Sequence, residues 1–280
     1  RVDSTCYDIK IAKEGTSPSG SEKVNMENLP EIISAVKKEG KAIVAPKRMR
    51  VTYTLTVDTN AVPAGKIICC WLPYPRQDQV RQQDVKFISA SEPQYTFSSP
   101  ECRHSTLYME KRAVEGEPTV FSETFEFTAN GEWHNLKPED VQPYDTTTAL
   151  YKEYTAEREK HIVFSPRLRE LAAKLTAGET NPYLKAKRIF RWVNDNFPWA
   201  SAREYSTIEN IPEYVLDNRH GDCGQVSLLF ITLCRIAGIP AQWESGLEAS
   251  PTYVGEHDWA RFFIQDLGWL YADPAGGVLA

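Results

Sequence analysis

Arg219-His-Gly-Asp-Cys-Gly-Gln-Val-Ser-Leu-Leu-Phe-Ile-Thr-Leu-Cys-Arg-Ile-Ala-Gly-Ile-Pro-Ala241 opens on a Gly-Asp turn and closes on Gly238 and Pro240. Between those punctuation marks the spacing predicts a helix over about 224–237, started at Cys223. Gly238 supplies the left-handed cap, and Pro240 prevents continuation. Val226, Leu228, Leu229, Phe230, Ile231, Leu233 and Ile236 leave almost no polar stripe, so the helix is expected to be buried on most sides. It is the rigid centre of whatever domain surrounds it.

A cysteine at the start of such a helix sits at the positive end of the helix dipole, where N–H groups lack intrahelical partners. Both effects favour a thiolate, and the same N–H groups can receive a developing oxyanion. The ordinary role of a lone cysteine is a small buried hydrophobe, but a hydrophobe gains little just after a Gly-Asp turn. Cys234 is the internal control. It lies about 16 Å further along the same helix, among Leu and Ile, and is expected to be core. Asp222 reads as a turn or capping residue.

A thiolate nucleophile needs a base and acid, usually histidine. The chain has five histidines: His104, His134, His161, His220 and His257. His220 precedes the turn. His257 opens a strand pattern, His-Asp-Trp-Ala-Arg-Phe-Phe-Ile, followed by Gln-Asp-Leu-Gly and then Trp269-Leu-Tyr-Ala-Asp273-Pro, which together read as a β-hairpin. Side chains share a face across a hairpin only when paired residue numbers have an even sum. If Ile264 pairs with Gly268 across a three-residue loop, His257 and Asp273 become diagonal neighbours on one face. Their backbones are then about 7 Å apart, close enough for an imidazole–carboxylate hydrogen bond. A two-residue turn would put them on opposite faces. By alternation Asp258 is expected to face away from the site. Trp259 and Trp269 read as packing residues, and Arg219 as solvated.

Composition excludes some classes. Of 280 residues, 41% are hydrophobic and 25% charged, as in an ordinary globular chain. Acidic residues outnumber basic ones by 38 to 32, a net charge of −6, which argues against nucleic acid as a partner. No stretch approaches the roughly 18 consecutive apolar residues of a membrane span. The six cysteines (Cys6, Cys69, Cys70, Cys102, Cys223 and Cys234) include no Cys-x-x-Cys pair and match no zinc site. Cys69 and Cys70, adjacent in a strand-like run, point to opposite faces and read as small buried hydrophobes. The chain begins Arg-Val-Asp rather than with Met. This reads as loss of an upstream segment such as a signal peptide, with an exported, periplasmic or cell-surface location to match. Beyond the terminal Gly-Gly-Val-Leu-Ala the natural protein is expected to run further.

Three regions follow from texture. Residues 1–47 are a polar lead-in, poorly ordered to about 28, with a short helix from Asn28-Leu-Pro to about Lys38. Residues 48–140 alternate with period two, and strands are expected at Arg50–Val57, Lys66–Leu72, Val85–Ala90, Thr106–Lys111 and Val120–Thr128, a β-sandwich-like domain. Residues 141–280 turn helical. Ser165-Pro166 and Asn181-Pro182 start two helices running to about Ala177 and Asn196, and a short helix is expected around Pro212–Leu216. The fold class is α+β.

The Gly-Asp-Cys block with its apolar helix, then His-Asp-Trp, then Gly-Trp-Leu-Tyr-Ala-Asp-Pro, resembles the transglutaminase-like core over about residues 160–275. Trp71-Leu-Pro-Tyr-Pro and its surroundings are similar to the β-domain that precedes this core in many bacterial members. The resemblance implies a papain-like triad of Cys223, His257 and Asp273 beside a central buried helix packed on an antiparallel sheet. It implies acyl transfer through a thioester on Cys223, with hydrolysis of a peptide or amide bond favoured. Amine-accepting crosslinking and a non-catalytic binding module on the same fold are the alternatives. Members often stabilise the oxyanion with an upstream aromatic or Gln side chain, for which Trp199 and then Tyr205 are the candidates. The animal enzymes bind calcium through acidic loops, and no Asp-rich loop of that kind occurs in this sequence, so neither metal nor cofactor is expected. The expected partner is a peptide or protein substrate, cell-wall or surface associated.

Overall fold

A computed structural model describes residues 20–201, 203–250 and 253–279. The part of the expected lead-in that covers residues 1–19 lies outside them. From Gly20 the chain is already helical: α1 (Gly20–Glu39) runs through Pro30, so the helix expected from Asn28 starts at Gly20. The Asn28-Leu-Pro start signal is overridden by the helix formers ahead of it, Glu22, Lys23, Met26 and Glu27. The described chain divides into two compact units, one of Glu27–His134 and a second built mainly from Asn135–Ala280. Together they make a mixed α/β protein with antiparallel sheets.

The Glu27–His134 unit contains β1 (Ile43–Val57), β2 (Ile67–Pro73), β3 (Gln82–Ala90), β4 (Tyr95–Phe97), β5 (Thr106–Arg112) and β6 (Thr119–Glu132). They form two three-stranded sheets, ordered β1-β6-β3 and β2-β5-β4. Alternation places Cys70, Leu72, Leu107, Met109 and Phe121 in a shared core. Cys70 is buried, whereas its neighbour Cys69 is exposed. The expectation that both are buried hydrophobes therefore fails for Cys69, because successive strand residues cannot share the core face. Cys69, Cys70, Cys102, Cys223 and Cys234 are free thiols.

The second unit holds α2 (Ala149–Tyr154), α3 (Pro166–Leu175), α4 (Pro182–Asn196), α5 (Ile211–Asn218), α6 (Cys223–Ile236), β7 (Ala241–Ser250), β8 (Tyr253–Ile264), β9 (Gly268–Asp273) and β10 (Val278–Leu279). The two expected caps are present. Ser165 Oγ accepts from the Leu168 N–H at 3.2 Å, and Asn181 Oδ1 accepts from the Leu184 N–H at 3.1 Å. The sheet order is β10-β9-β8-β7, antiparallel throughout. α6 is buried from Gly224 to Arg235 and packs against α3, α4, α5, β7 and β8. Phe230, at its middle, meets Phe190 of α4 and Phe262 of β8 edge-on, each with centroids 6.3 Å apart. Among the described residues no helix is long and apolar enough to cross a membrane.

One buried residue breaks the apolar pattern. β6 turns Phe121, Glu123 and Phe125 inward, and Glu123 is 1% exposed. Neither of its carboxyl oxygens has a hydrogen-bond partner among the described residues. Burial pushes this carboxyl up to about 8, and the same charge helps burial raise the Cys70 thiol and the Tyr74 phenol. The folded state therefore keeps a proton that an unfolded chain, with the ordinary value of 4.5, releases. The corresponding stability is complete below pH 4.5 and is lost as pH rises to about 8. Glu123→Gln keeps the shape and removes the charge. It is expected to raise the thermal unfolding midpoint at pH 8.5 and to leave it nearly unchanged at pH 4. Equal midpoints for the two proteins at pH 8.5 would contradict this.

Candidate active site

The site begins at the N-terminus of α6. Asp222 is the N-cap: its Oδ1 accepts from the Gln225 N–H at 2.8 Å, while the Gln225 side chain reaches back to the Asp222 N–H at 3.4 Å. This reciprocal pair is a capping box, and it gives Asp222 the capping role expected of it. The Val226 N–H bonds to the Asp222 carbonyl at 3.0 Å. The Cys223 and Gly224 N–H groups are thus the ones left without an intrahelical acceptor. Cys223, half-buried, is the first residue of the helix. Cys234 is fully buried at the far end, and burial pushes its thiol well up.

The hairpin adopts the register that the parity argument requires. Ile264 pairs with Gly268 and Ala260 with Ala272, around the three residues Gln265, Asp266 and Leu267. His257 and Asp273 consequently lie on one face, and His257 Nε2–H donates to Asp273 Oδ2 at 2.6 Å. Asp273 Oδ1 accepts from the Ala275 and Gly276 N–H groups at 3.1 and 2.8 Å, so the carboxylate is held from both sides. A Cβ at Gly276 would stand 2.3 Å from Asp273 Oδ2, and only glycine allows the turn to close on the carboxylate. The imidazole is also hydrogen-bonded with Cys223. Burial alone would push its pKa down. The hydrogen bonds and negative charge of Asp273 and Cys223 outweigh burial and lift it to about 10. At neutral pH the ring is therefore an imidazolium facing sulfur.

Asp258 corrects an expectation. It does lie on the face of β8 opposite to His257, but that face packs on α6. Ala260, Phe262 and Ile264 continue it and are fully buried. Four strand residues from Phe262 back to Asp258 span ~13 Å, and seven helix residues from Phe230 back to Cys223 span ~10 Å. The strand thus carries Asp258 to the helix tip, where Oδ2 lies 4.0 Å from Cys223 Sγ. The alternation of His257 and Asp258 was legible in the sequence; that the Asp258 side chain also reaches the helix tip was not.

The two oxyanion candidates lie near the same tip. The Trp199 backbone forms a parallel bridge with Gly221, and the Ala200 N–H donates to the Gly221 carbonyl at 2.9 Å. Trp199 therefore runs alongside the turn that precedes Cys223. Tyr205 donates its hydroxyl to Asp222 Oδ1 at 2.5 Å. Burial first, and then this bond, keep the phenol protonated, and its single proton is committed to the cap. A Cβ at Gly224 would meet Tyr205 Oη at 2.2 Å and Asp258 Oδ2 at 2.6 Å, so glycine there is what lets both groups reach the helix. The Tyr205–Asp222 bond had no sequence signal beyond the presence of both residues. His220 and Arg219 stand off: His220 Nδ1 bonds its own neighbourhood at the Asn218 carbonyl, 2.8 Å, and Arg219 lies over the Phe197 ring.

Residues 169–274 match the family model of the transglutaminase-like superfamily. An uncharacterized protein, YebA of Bacillus subtilis, is 26% identical over 129 residues, 40% of this chain and 18% of that protein. A protein-glutamine gamma-glutamyltransferase of Pseudomonas aeruginosa is 26% identical over 121 residues, 39% of this chain and 18% of that protein. The chain thus matches under a fifth of the length of each. A Cytophaga hutchinsonii protein provisionally named a cysteine protease superposes with a TM-score of 0.63 at 16% identity, covering 82% of this chain and 79% of its own. That likeness is one of fold.

The raised value of His257 sets a pH window. Stability from its charged interactions is complete below the ordinary 6.5 and is lost progressively as pH rises to about 10. Asp273→Asn is expected to lower the His257 midpoint by at least about one unit, read from the ring C–H resonances by NMR. A midpoint that does not move would show that Asp273 does not hold the imidazolium.

Proposed function

The chain carries a transglutaminase-like superfamily domain over residues 169–274, and on that footing we propose that it is a cysteine enzyme of acyl transfer with Cys223 as nucleophile. His257 is its acid and base, and Asp273 orients and charges the ring. The observation that supports this best is the 2.6 Å bond from His257 to Asp273, on an imidazole that also meets the Cys223 sulfur. The Cys223 thiolate attacks a peptide or carboxamide carbonyl, and negative charge develops on its oxygen. The N–H groups at the start of α6 lie where they can receive it, with Trp199 beside them. His257 passes its proton to the departing amine, leaving a thioester on sulfur. It then takes a proton from the acceptor, and the attack of that acceptor on the thioester expels the sulfur and restores the thiolate–imidazolium pair.

Water as acceptor makes the protein a peptide or amide hydrolase, the reading we favour. A primary amine as acceptor makes it a crosslinking enzyme, a reading to which the Pseudomonas aeruginosa relative lends support. We read residues 48–140 as a β-sandwich-like domain ahead of a core at 141–280. The protein is proposed to be exported, periplasmic or at the cell surface, acting on a peptide or protein there.

Limiting iodoacetamide at pH 6 is expected to label Cys223 ahead of every other thiol, and His257→Ala is expected to abolish that preference. Hydrolysis of a peptide library should fall to background in Cys223→Ala and by about 10²–10⁴-fold in His257→Ala. Adding a fluorescent primary amine separates the acceptors: release of free acid supports hydrolysis, and incorporation of the dye supports crosslinking. Slow, uniform labelling of all accessible thiols, with no turnover, would leave only a binding module on this fold.

A further inference from the structure

The proposed triad uses one face of β8 and leaves the carboxyl on the other face unexplained. Asp258 is half-buried, and its Oδ2 is 4.0 Å from Cys223 Sγ. The same oxygen lies 2.6 Å from where a Cβ at Gly224 would stand, alongside the Tyr205 hydroxyl. The titratable groups around it come from three elements. His257 is its neighbour on β8, Asp222 and Cys223 stand at the start of α6, and Tyr205 comes from the short 3-10 turn Tyr205–Thr207. Each of these has another commitment. Asp222 holds the Gln225 N–H and the Tyr205 hydroxyl, and the imidazolium of His257 is bonded to Asp273.

Asp258 is therefore a second carboxyl in a desolvated cluster that already contains Asp222. Burial and the Asp222 charge push it up to about 6, with His257 partly offsetting them. Gly224 has no side chain, and the carboxyl occupies the space that an alanine methyl would fill. The sulfur thus has a cation from one face of β8 and an acid from the other.

Resting on the reading of Cys223 as nucleophile, we propose that Asp258 is a positioning residue that controls the protonation of the Cys223 sulfur. Ionised, it opposes the thiolate across 4.0 Å. Protonated, it can donate its O–H to the thiolate and reinforce the imidazolium opposite. The nucleophile is then held back as Asp258 ionises and released as it takes up a proton, so the site favours mildly acidic conditions.

The test is the alkylation rate of each cysteine of the full chain with iodoacetamide, a neutral reagent, from pH 5 to 9, resolved by peptide mass spectrometry. Asp258→Asn is expected to move the Cys223 profile about one unit to lower pH. That corresponds to about a tenfold faster reaction on the rising part of the profile. Asp258→Ala, a second variant without the charge, should move it the same way. Asp258→Glu, which keeps the charge, should stay near wild type. A simple loss of packing would slow or scatter labelling without this ordering by charge. Profiles that superimpose, or that move to higher pH when the charge is removed, overturn the proposal. If Cys223 is selectively labelled and depends on His257 but ignores position 258, this inference alone fails. If Cys223 shows no selectivity in the wild-type chain, the nucleophile reading fails with it.

Discussion

The N-terminal tip of α6 is the fixed point of this site. The helix is buried along nearly its whole length, gripped by three helices and by the face of β8 that carries Ala260, Phe262 and Ile264. A helix so enclosed cannot slide or roll without opening cavities, which cost stability in proportion to their volume. Cys223 is its first residue, and the capping box between Asp222 and Gln225 ends the helix cleanly at that point. Packing far from the sulfur therefore sets the sulfur's position, in the way that rigid elements place functional groups more narrowly than loops do.

Around that fixed point the sheet supplies charge. The three-residue turn before Gly268 gives β8 and β9 an even register sum, so His257 and Asp273 meet on one face. The carboxylate is also tied to the turn that follows it. The result is an imidazolium that survives well above the ordinary range of histidine. The opposite face of the same strand delivers Asp258 to the other side of the sulfur. One strand thus presents groups of opposite charge preference to one atom. In a partly desolvated site those preferences act more strongly than they would in water.

The Glu27–His134 unit shows the same physics without a partner group. Glu123 occupies a core position that alternation reserves for a hydrophobe, among Phe121 and Phe125, and no hydrogen bond from the described residues compensates it. Burial then favours the neutral acid over the carboxylate. Natural chains break one or two local rules of this kind, and the breach marks a place where stability depends on conditions.

Local physics made several features readable from the residues alone: the α6 helix and its ends, the Ser165 and Asn181 caps, most strands of the first unit, and the parity that allows His257 to meet Asp273. Each is governed by neighbours within a few positions, or by a two-residue period that a turn length completes. The early start of α1, the exposure of Cys69 and the Tyr205–Asp222 bond depend on what packs against a segment, and periodicity is silent on that. Asp258 states the division most clearly. The sequence alone determined that it lies opposite His257, because strand side chains alternate. Only the tertiary structure decided that this opposite face meets the tip of α6, because which face of a sheet a helix covers is settled by packing across the whole unit.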